Sequence, residues 1–158
     1  MNHGRAAEVL EALSRHGWSV ATAESLTGGL LAAEIVNISG ASSHMRGGVV
    51  AYATDVKETV LGVDARLLRD SGAVHADVAA QMAAGVCRVL GSDVGIATTG
   101  VAGPLEQDDH PVGTVYVAVS TPDGTTVAAL ALSGDRGEIR AQSVDEALAL
   151  CLSVLQAP

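Results

Sequence analysis

Two hydrophobic rhythms alternate along the chain. Ala6, Val9, Leu10 and Leu13 recur at helical spacing, and Gly17 supplies a stop. "WSVATA" (18–23) then reads as a buried strand, and "LTGGLLAAEIVNI" (26–38) as a helix ending near Gly40. "MRGGVVAYA" (45–53) predicts a second strand. "DVKETVLGV" (55–63) predicts a short helix with Asp55 as its cap, and "DARLLRDSG" (64–72) another. "HADVAAQMAAGVCRVLG" (75–91) is a longer helix stopped by Gly91, and "DVGIATT" (93–99) a third strand. After the loop "GVAGPLEQDDHPVG", residues 114–133 form two strands around Pro122-Asp123-Gly124, a strong turn signal. The last helix, "RGEIRAQSVDEALALCLSVL" (136–155), has Ile139, Val144, Leu148 and Leu152 among its apolar positions. Strands alternating with helices predict an α/β fold: a mixed, mostly parallel sheet with helices on both faces, closed by a C-terminal β-hairpin.

Composition refines this picture. The 158 residues suit one domain over 1–158, without repeat or linker. Hydrophobic residues make up 48 % but aromatics only 2 %, with no Phe, so Ala, Val, Leu and Ile must build the core. The net charge of −9 argues against nucleic-acid or anionic-membrane partners, while leaving room for a small anionic ligand held by local arginines. Cys87 and Cys151 belong to no metal or redox motif and read as buried thiols in a reducing compartment. No apolar run reaches membrane-spanning length, and the amphipathic start, with Glu8 and Glu11, does not resemble a signal peptide. A cytoplasmic protein is expected, and its surface is compatible with a homodimer.

Three polar joints follow strands: 24–29, 52–57 and 98–103. Parallel pairing would gather them at the carboxyl edge of the sheet, where ligands bind in open α/β folds. In the first, "ESLTGG", Ser25 is either a helix cap or a nucleophile beside helix N–H groups, with Thr27, Gly28 and Gly29 lining the approach. The five histidines offer no base at a helpful position, and there is no G-x-S-x-G elbow. The chain has eight arginines but one lysine, Lys57. It is either a solvated surface residue or a base, since only lysine loses its proton readily when desolvated. Tyr52 precedes it by five residues and is placed to relay a proton or orient the amine. Thr99, Gly100 and Gly103 belong to a glycine-rich turn that is also suited to present N–H groups to an anion. Arg136 and Arg140 share a helix face and would either grip a phosphate or pair with Asp135 and Glu138. "EQDDH" (106–110) reads as a solvated loop; neither a metal nor a cofactor is expected.

Taken in order, "TAESLTGG", "GGVVAYATDVK", "TTGVAGP", "HPVGTVYVAV" and "SGDRGEIR" closely resemble the C-terminal domain of the competence/damage-inducible CinA family, from about residue 5 to residue 155. The resemblance implies a three-layer α/β/α fold and hydrolysis of nicotinamide mononucleotide to nicotinate mononucleotide and ammonia. It places the family's serine nucleophile, lysine and tyrosine on Ser25, Lys57 and Tyr52. One stretch departs from the family pattern, in which the loop carries a Gly-Gly pair and a lysine before P-V-G-T-V. Here it reads "GVAGPLEQDDHPVGTV": the pair is missing, the loop is one residue shorter, and His110 takes the lysine position. The expected consequence of this altered segment, Leu105–His110, is on substrate affinity or selectivity.

Overall fold

The computed structural model describes residues 3–158. Its elements are α1 (His3–His16), β1 (Val20–Glu24), α2 (Leu30–Val36), a 3-10 turn (Ala41–Ser43), β2 (Met45–Val50), α3 (Thr54–Thr59), α4 (Ala65–Ser71), α5 (Ala76–Leu90), β3 (Val94–Gly100), β4 (Thr114–Thr121), β5 (Gly124–Ala131) and α6 (Arg136–Gln156). The five-stranded sheet has the order β2-β1-β3-β4-β5. β1 pairs in parallel with β2 and β3, and the β3–β4 and β4–β5 pairings are antiparallel. The two-residue Pro122-Asp123 turn joins the hairpin strands as expected.

Chain direction explains the layers. The connection from β1 runs outward to β2; the connection from β2 returns across β1 to β3. Crossovers of one handedness running in opposite directions put their helices on opposite faces. Accordingly α1, α2 and α6 cover one face and α5, with α4 against it, the other. The face under α1, α2 and α6 is built from branched side chains such as Leu13, Leu31, Ile35, Ile96, Ile139 and Leu148. The face under α5 is built largely from alanines, including Ala21, Ala23, Ala97 and Ala118 of the strands. There α5 lies so close that a Cβ on Gly85 would strike the Leu61 carbonyl and one on Gly95 the Ala83 carbonyl.

Three local expectations change. The helix expected from residue 26 begins only at Leu30, because Gly28 (φ +58°) and Gly29 (φ +104°) turn the chain through the left-handed region first. Neither Ser25 nor Thr27 caps it; Gly29 holds the N-cap position. Asp55 lies inside α3, whose N-cap is Ala53, while Asp64 caps α4 by accepting from the Arg66 and Leu67 N–H groups. Cys151 is buried, its thiol pushed up to about 12 by desolvation, whereas Cys87 is only half-buried.

Candidate active site

The carboxyl ends of β1, β2 and β3 lie side by side, so the three polar joints meet as expected of an open α/β sheet. Ser25 is the first residue beyond β1. Its N–H donates to the Thr98 carbonyl of β3 at 3.1 Å, which extends the β1–β3 pairing by one bond. The Thr27 and Thr98 hydroxyls, both fully buried, meet at 2.8 Å. The nucleophile candidate thus sits on backbone continuous with the sheet.

The next anchor is Glu24, 1 % exposed at the end of β1. Its carboxylate accepts from the N–H groups of Gly29 (3.2 Å), Leu31 (2.8 Å) and Ala32 (3.0 Å). A buried carboxylate is tolerated when several donors satisfy it, and here the donors are the free N–H groups of the α2 start. That occupancy takes the N–H groups of Gly28 and Gly29, but not that of Thr27, away from any substrate. Gly29 gives its N–H to Glu24, and Gly28 gives its own to the Ser25 carbonyl at 3.1 Å.

Lys57, from α3, is buried at 1 % exposure and reaches under the Ser25 turn. Its Nζ donates to Ser25 Oγ at 3.0 Å, to the Ala51 carbonyl at 2.8 Å and to the Tyr52 carbonyl at 3.1 Å. Burial lowers its pKa from 10.5 to about 8, against the opposing pull of the Asp108 carboxylate. In the neutral amine, two N–H bonds to carbonyls leave the lone pair directed at the serine hydroxyl. This is the arrangement of a general base and its nucleophile.

Ser25 and Lys57 open onto a cavity of about 160 Å³ whose walls include Thr99, Gly103, Leu105 and Arg136. Tyr52 also lines it, but the phenol is 62 % exposed and accepts from Arg136 Nη2 at 3.3 Å. Tyr52 therefore meets the lysine through its backbone carbonyl; its hydroxyl belongs to Arg136. Arg136 Nη1 also donates to the Gly103 carbonyl at 2.6 Å, which stations this guanidinium at the cavity wall. Arg140 does not line the cavity. Its Nε donates to the Leu26 carbonyl at 2.8 Å and its Nη2 to the Thr27 carbonyl at 3.2 Å. Asp135 and Glu138, the alternative partners of these arginines, instead form a capping box at the start of α6.

Thr99 reaches the cavity, with its hydroxyl donating to the Ala73 carbonyl at 2.8 Å. Gly100 is the last residue of β3, where a Cβ would press on the Thr114 carbonyl of β4 at 2.6 Å. Gly103 turns with φ +91° against Val112. In the altered loop, Asp108 Oδ2 accepts from the Ala73 N–H at 3.3 Å, so the segment is docked rather than wholly solvated. Among the described residues no cluster of three or more His, Cys, Asp or Glu is arranged to hold a metal, and no helix is long and apolar enough to cross a membrane.

Sequence reasoning passed over Glu24, Thr98 and Asp108. For the first two a signal existed: Val20, Thr22 and Glu24 alternate on one sheet face, so Glu24 falls on a core position where a charge needs partners. For Asp108 the local sequence carried none.

Fold and site together define an α/β/α domain that presents a serine to a desolvated lysine at the carboxyl ends of its parallel strands. The chain belongs to the CinA C-terminal domain family, whose pattern matches residues 2–155. A CinA-like protein of Frankia casuarinae is 50 % identical over 147 residues, covering 93 % of this chain and 34 % of that protein. A putative competence-damage inducible protein of Desulforamulus reducens is 47 % identical over 140 residues, covering 89 % of this chain and 34 % of that protein. The chain thus spans about a third of the length of the curated relatives it matches. The crystal structure of a CinA superfamily protein from Klebsiella pneumoniae superposes with a TM-score of 0.94 at 33 % identity, covering 98 % of both chains. That of a competence/damage-inducible protein from Agrobacterium tumefaciens does so with 0.92 at 34 % identity, covering 98 % of this chain and 95 % of the other.

Proposed function

We propose that the chain is a nicotinamide-nucleotide amidase, hydrolysing the carboxamide of nicotinamide mononucleotide to nicotinate mononucleotide and ammonia. The observation that carries this reading is the 3.0 Å contact between Lys57 Nζ and Ser25 Oγ, with the amine buried and steered by two carbonyls. Neutral Lys57 takes the hydroxyl proton as Ser25 Oγ bonds to the carboxamide carbon, and the C=O π pair moves to oxygen. Collapse breaks the C–N bond, and ammonia leaves with the proton from Lys57. Water, giving a proton back to Lys57, then attacks the acyl-enzyme; the acid departs and Ser25 recovers its proton. No relay through the Tyr52 hydroxyl is needed. Arg136, the guanidinium on the cavity wall, is suited to the nucleotide phosphate.

A second reading is favoured by the cavity itself. At about 160 Å³ it falls below the roughly 300–1,000 Å³ of pockets that enclose a drug-sized ligand. It would admit the carboxamide and ring, leaving ribose and phosphate at the mouth, or serve a smaller amide altogether. Ammonia release measured across nicotinamide mononucleotide, nicotinamide riboside and simple amides, with Ser25→Ala as the control, decides between them. Preference for the mononucleotide supports the first reading; equal turnover of small amides supports the second. No release from any of them would sink both and leave a binding module.

A further inference from the structure

An acyl-transfer site needs donors for the oxyanion, and the obvious ones here are spent. Glu24 holds the N–H groups of Gly29, Leu31 and Ala32, and the Gly28 N–H is folded back onto the Ser25 carbonyl. Two N–H groups of the turn remain: those of Leu26 and Thr27 have no hydrogen-bond partner among the described residues. In a trans peptide the C=O of one residue and the N–H of the next point in opposite directions. Leu26 lines the cavity, and its carbonyl accepts from Nε of Arg140, which does not line it. The N–H of Thr27 therefore points away from Arg140.

We infer that Arg140 is a positioning residue. Its guanidinium grips the Leu26 and Thr27 carbonyls as a fork and, through the Leu26–Thr27 peptide, holds the Thr27 N–H toward the oxyanion of the Ser25 adduct. It acts from α6, more than a hundred residues away, without touching substrate. Gly28 fits this role: it turns through φ +58°, and a Cβ there would lie 3.2 Å from Arg140 Nη2. A carbonyl pulled by a fixed cation is also less free to flip, and preorganised donors of this kind cost no reorganisation as charge develops.

The inference rests on Ser25 as the nucleophile, so its test is chosen to separate the two. Ser25 is titrated with a fluorophosphonate probe, alongside ammonia release from nicotinamide mononucleotide. In the probe reaction Ser25 Oγ bonds to phosphorus, fluoride leaves, the proton passes to Lys57, and the phosphoryl oxygen occupies the oxyanion position. Arg140→Gln should slow labelling by about 10²-fold, the scale of one lost oxyanion donor, without shifting the pH midpoint that Lys57 sets. In turnover kcat should fall by a similar factor while KM changes little. Arg140→Lys, which keeps the charge but not the fork, should recover part of the rate. Labelling of Arg140→Gln at the wild-type rate overturns the inference, as does a parallel shift of the pH midpoint. Wild-type labelling without ammonia release removes the amidase reading alone, and the variant ratio still decides the role of Arg140. No labelling of the wild type overturns both.

Discussion

Two loops line the cavity, and they are built on opposite plans. The turn from Ser25 to Gly29 is buried for most of its length and tied on every side: to Thr98 of β3, to the Glu24 carboxylate, to Lys57 and to Arg140. The segment from Pro104 to Asp109 is exposed. It turns through positive φ at two non-glycine residues, Asp108 (51°) and Asp109 (62°), and reaches the rest of the fold through single contacts such as Asp108 to Ala73. On the proposed reading the reacting groups sit on the first plan, since catalysis demands fixed geometry. The second plan, cheap to alter, suits the wall that meets the distal part of a ligand. The difference teaches where a change in this chain should alter rate and where it should alter preference.

The largest break is at the tied loop. Ser25→Ala should lower ammonia release by at least ~10⁴-fold, since removing a serine nucleophile elsewhere costs up to about 10⁶. The unfolding midpoint should stay near wild type, because the hydroxyl bonds Lys57 and the backbone bond to Thr98 persists. Substantial residual turnover in this variant would exclude a covalent route.

Next comes the base. Activity should climb as pH rises through about 8, as Lys57 loses its proton. Lys57→Arg should be nearly inactive at every pH up to 9, because a guanidinium keeps its proton; wild-type turnover in Lys57→Arg would exclude the role. Stability should move in the same direction. The unfolded chain binds this proton up to about 10.5, the folded chain only to about 8, so folding releases it between those values and stability rises with pH across that window. The comparison of wild type with Lys57→Met in urea unfolding at pH 7.5 and 9.5 isolates the contribution: the variant should lack this part of the slope.

Much of this contrast could be read in the sequence, and the remainder had physical reasons for being hidden. The elements follow hydrophobic period, and the solitary Lys57 stood out against eight arginines. Hydrophobic period alone makes Gly28-Gly29 the opening of a helix, whereas their left-handed backbone delays α2 to Leu30. Glu24 and Arg140 were harder still. A buried carboxylate that caps from the preceding strand leaves no capping pattern at the usual spacing, and the Arg140 contacts span 113 and 114 residues of chain. Local rules resolve neighbours; they are blind to partners that only the crossovers bring together.

Glu24 gives a smaller effect, read in stability. Glu24→Gln keeps the shape but sets an amide NH₂ against backbone N–H groups and removes the charge at the α2 start. Hydrogen bonds to charged groups contribute about 1.5–3 kcal/mol each, and one is lost outright, so unfolding free energy should fall by about 2–3 kcal/mol. Urea titration measures it. A midpoint equal to wild type would mean that the turn is held by Thr98 and Arg140 without this carboxylate.

The smallest effect belongs to the exposed loop. The charge of Asp108 raises the pKa of Lys57, opposing the desolvation that lowers it. Asp108→Asn keeps the side-chain oxygen that accepts from Ala73 and suits the left-handed backbone, which asparagine tolerates well. Losing the carboxylate charge should therefore move the pH midpoint of activity downward by a few tenths of a unit, a surface-screened Coulombic effect. At pH 7 turnover should rise slightly, because more of the enzyme holds neutral Lys57. The difference between variant and wild type should shrink as salt is raised from 0.05 to about 0.5 M, since screening weakens the same interaction. A midpoint that moves upward instead would mean that the carboxylate works through loop docking, with its charge counting for little. The exposed loop would then adjust the base by shape, and the division of labour between the two loops would be less clean than their structures suggest.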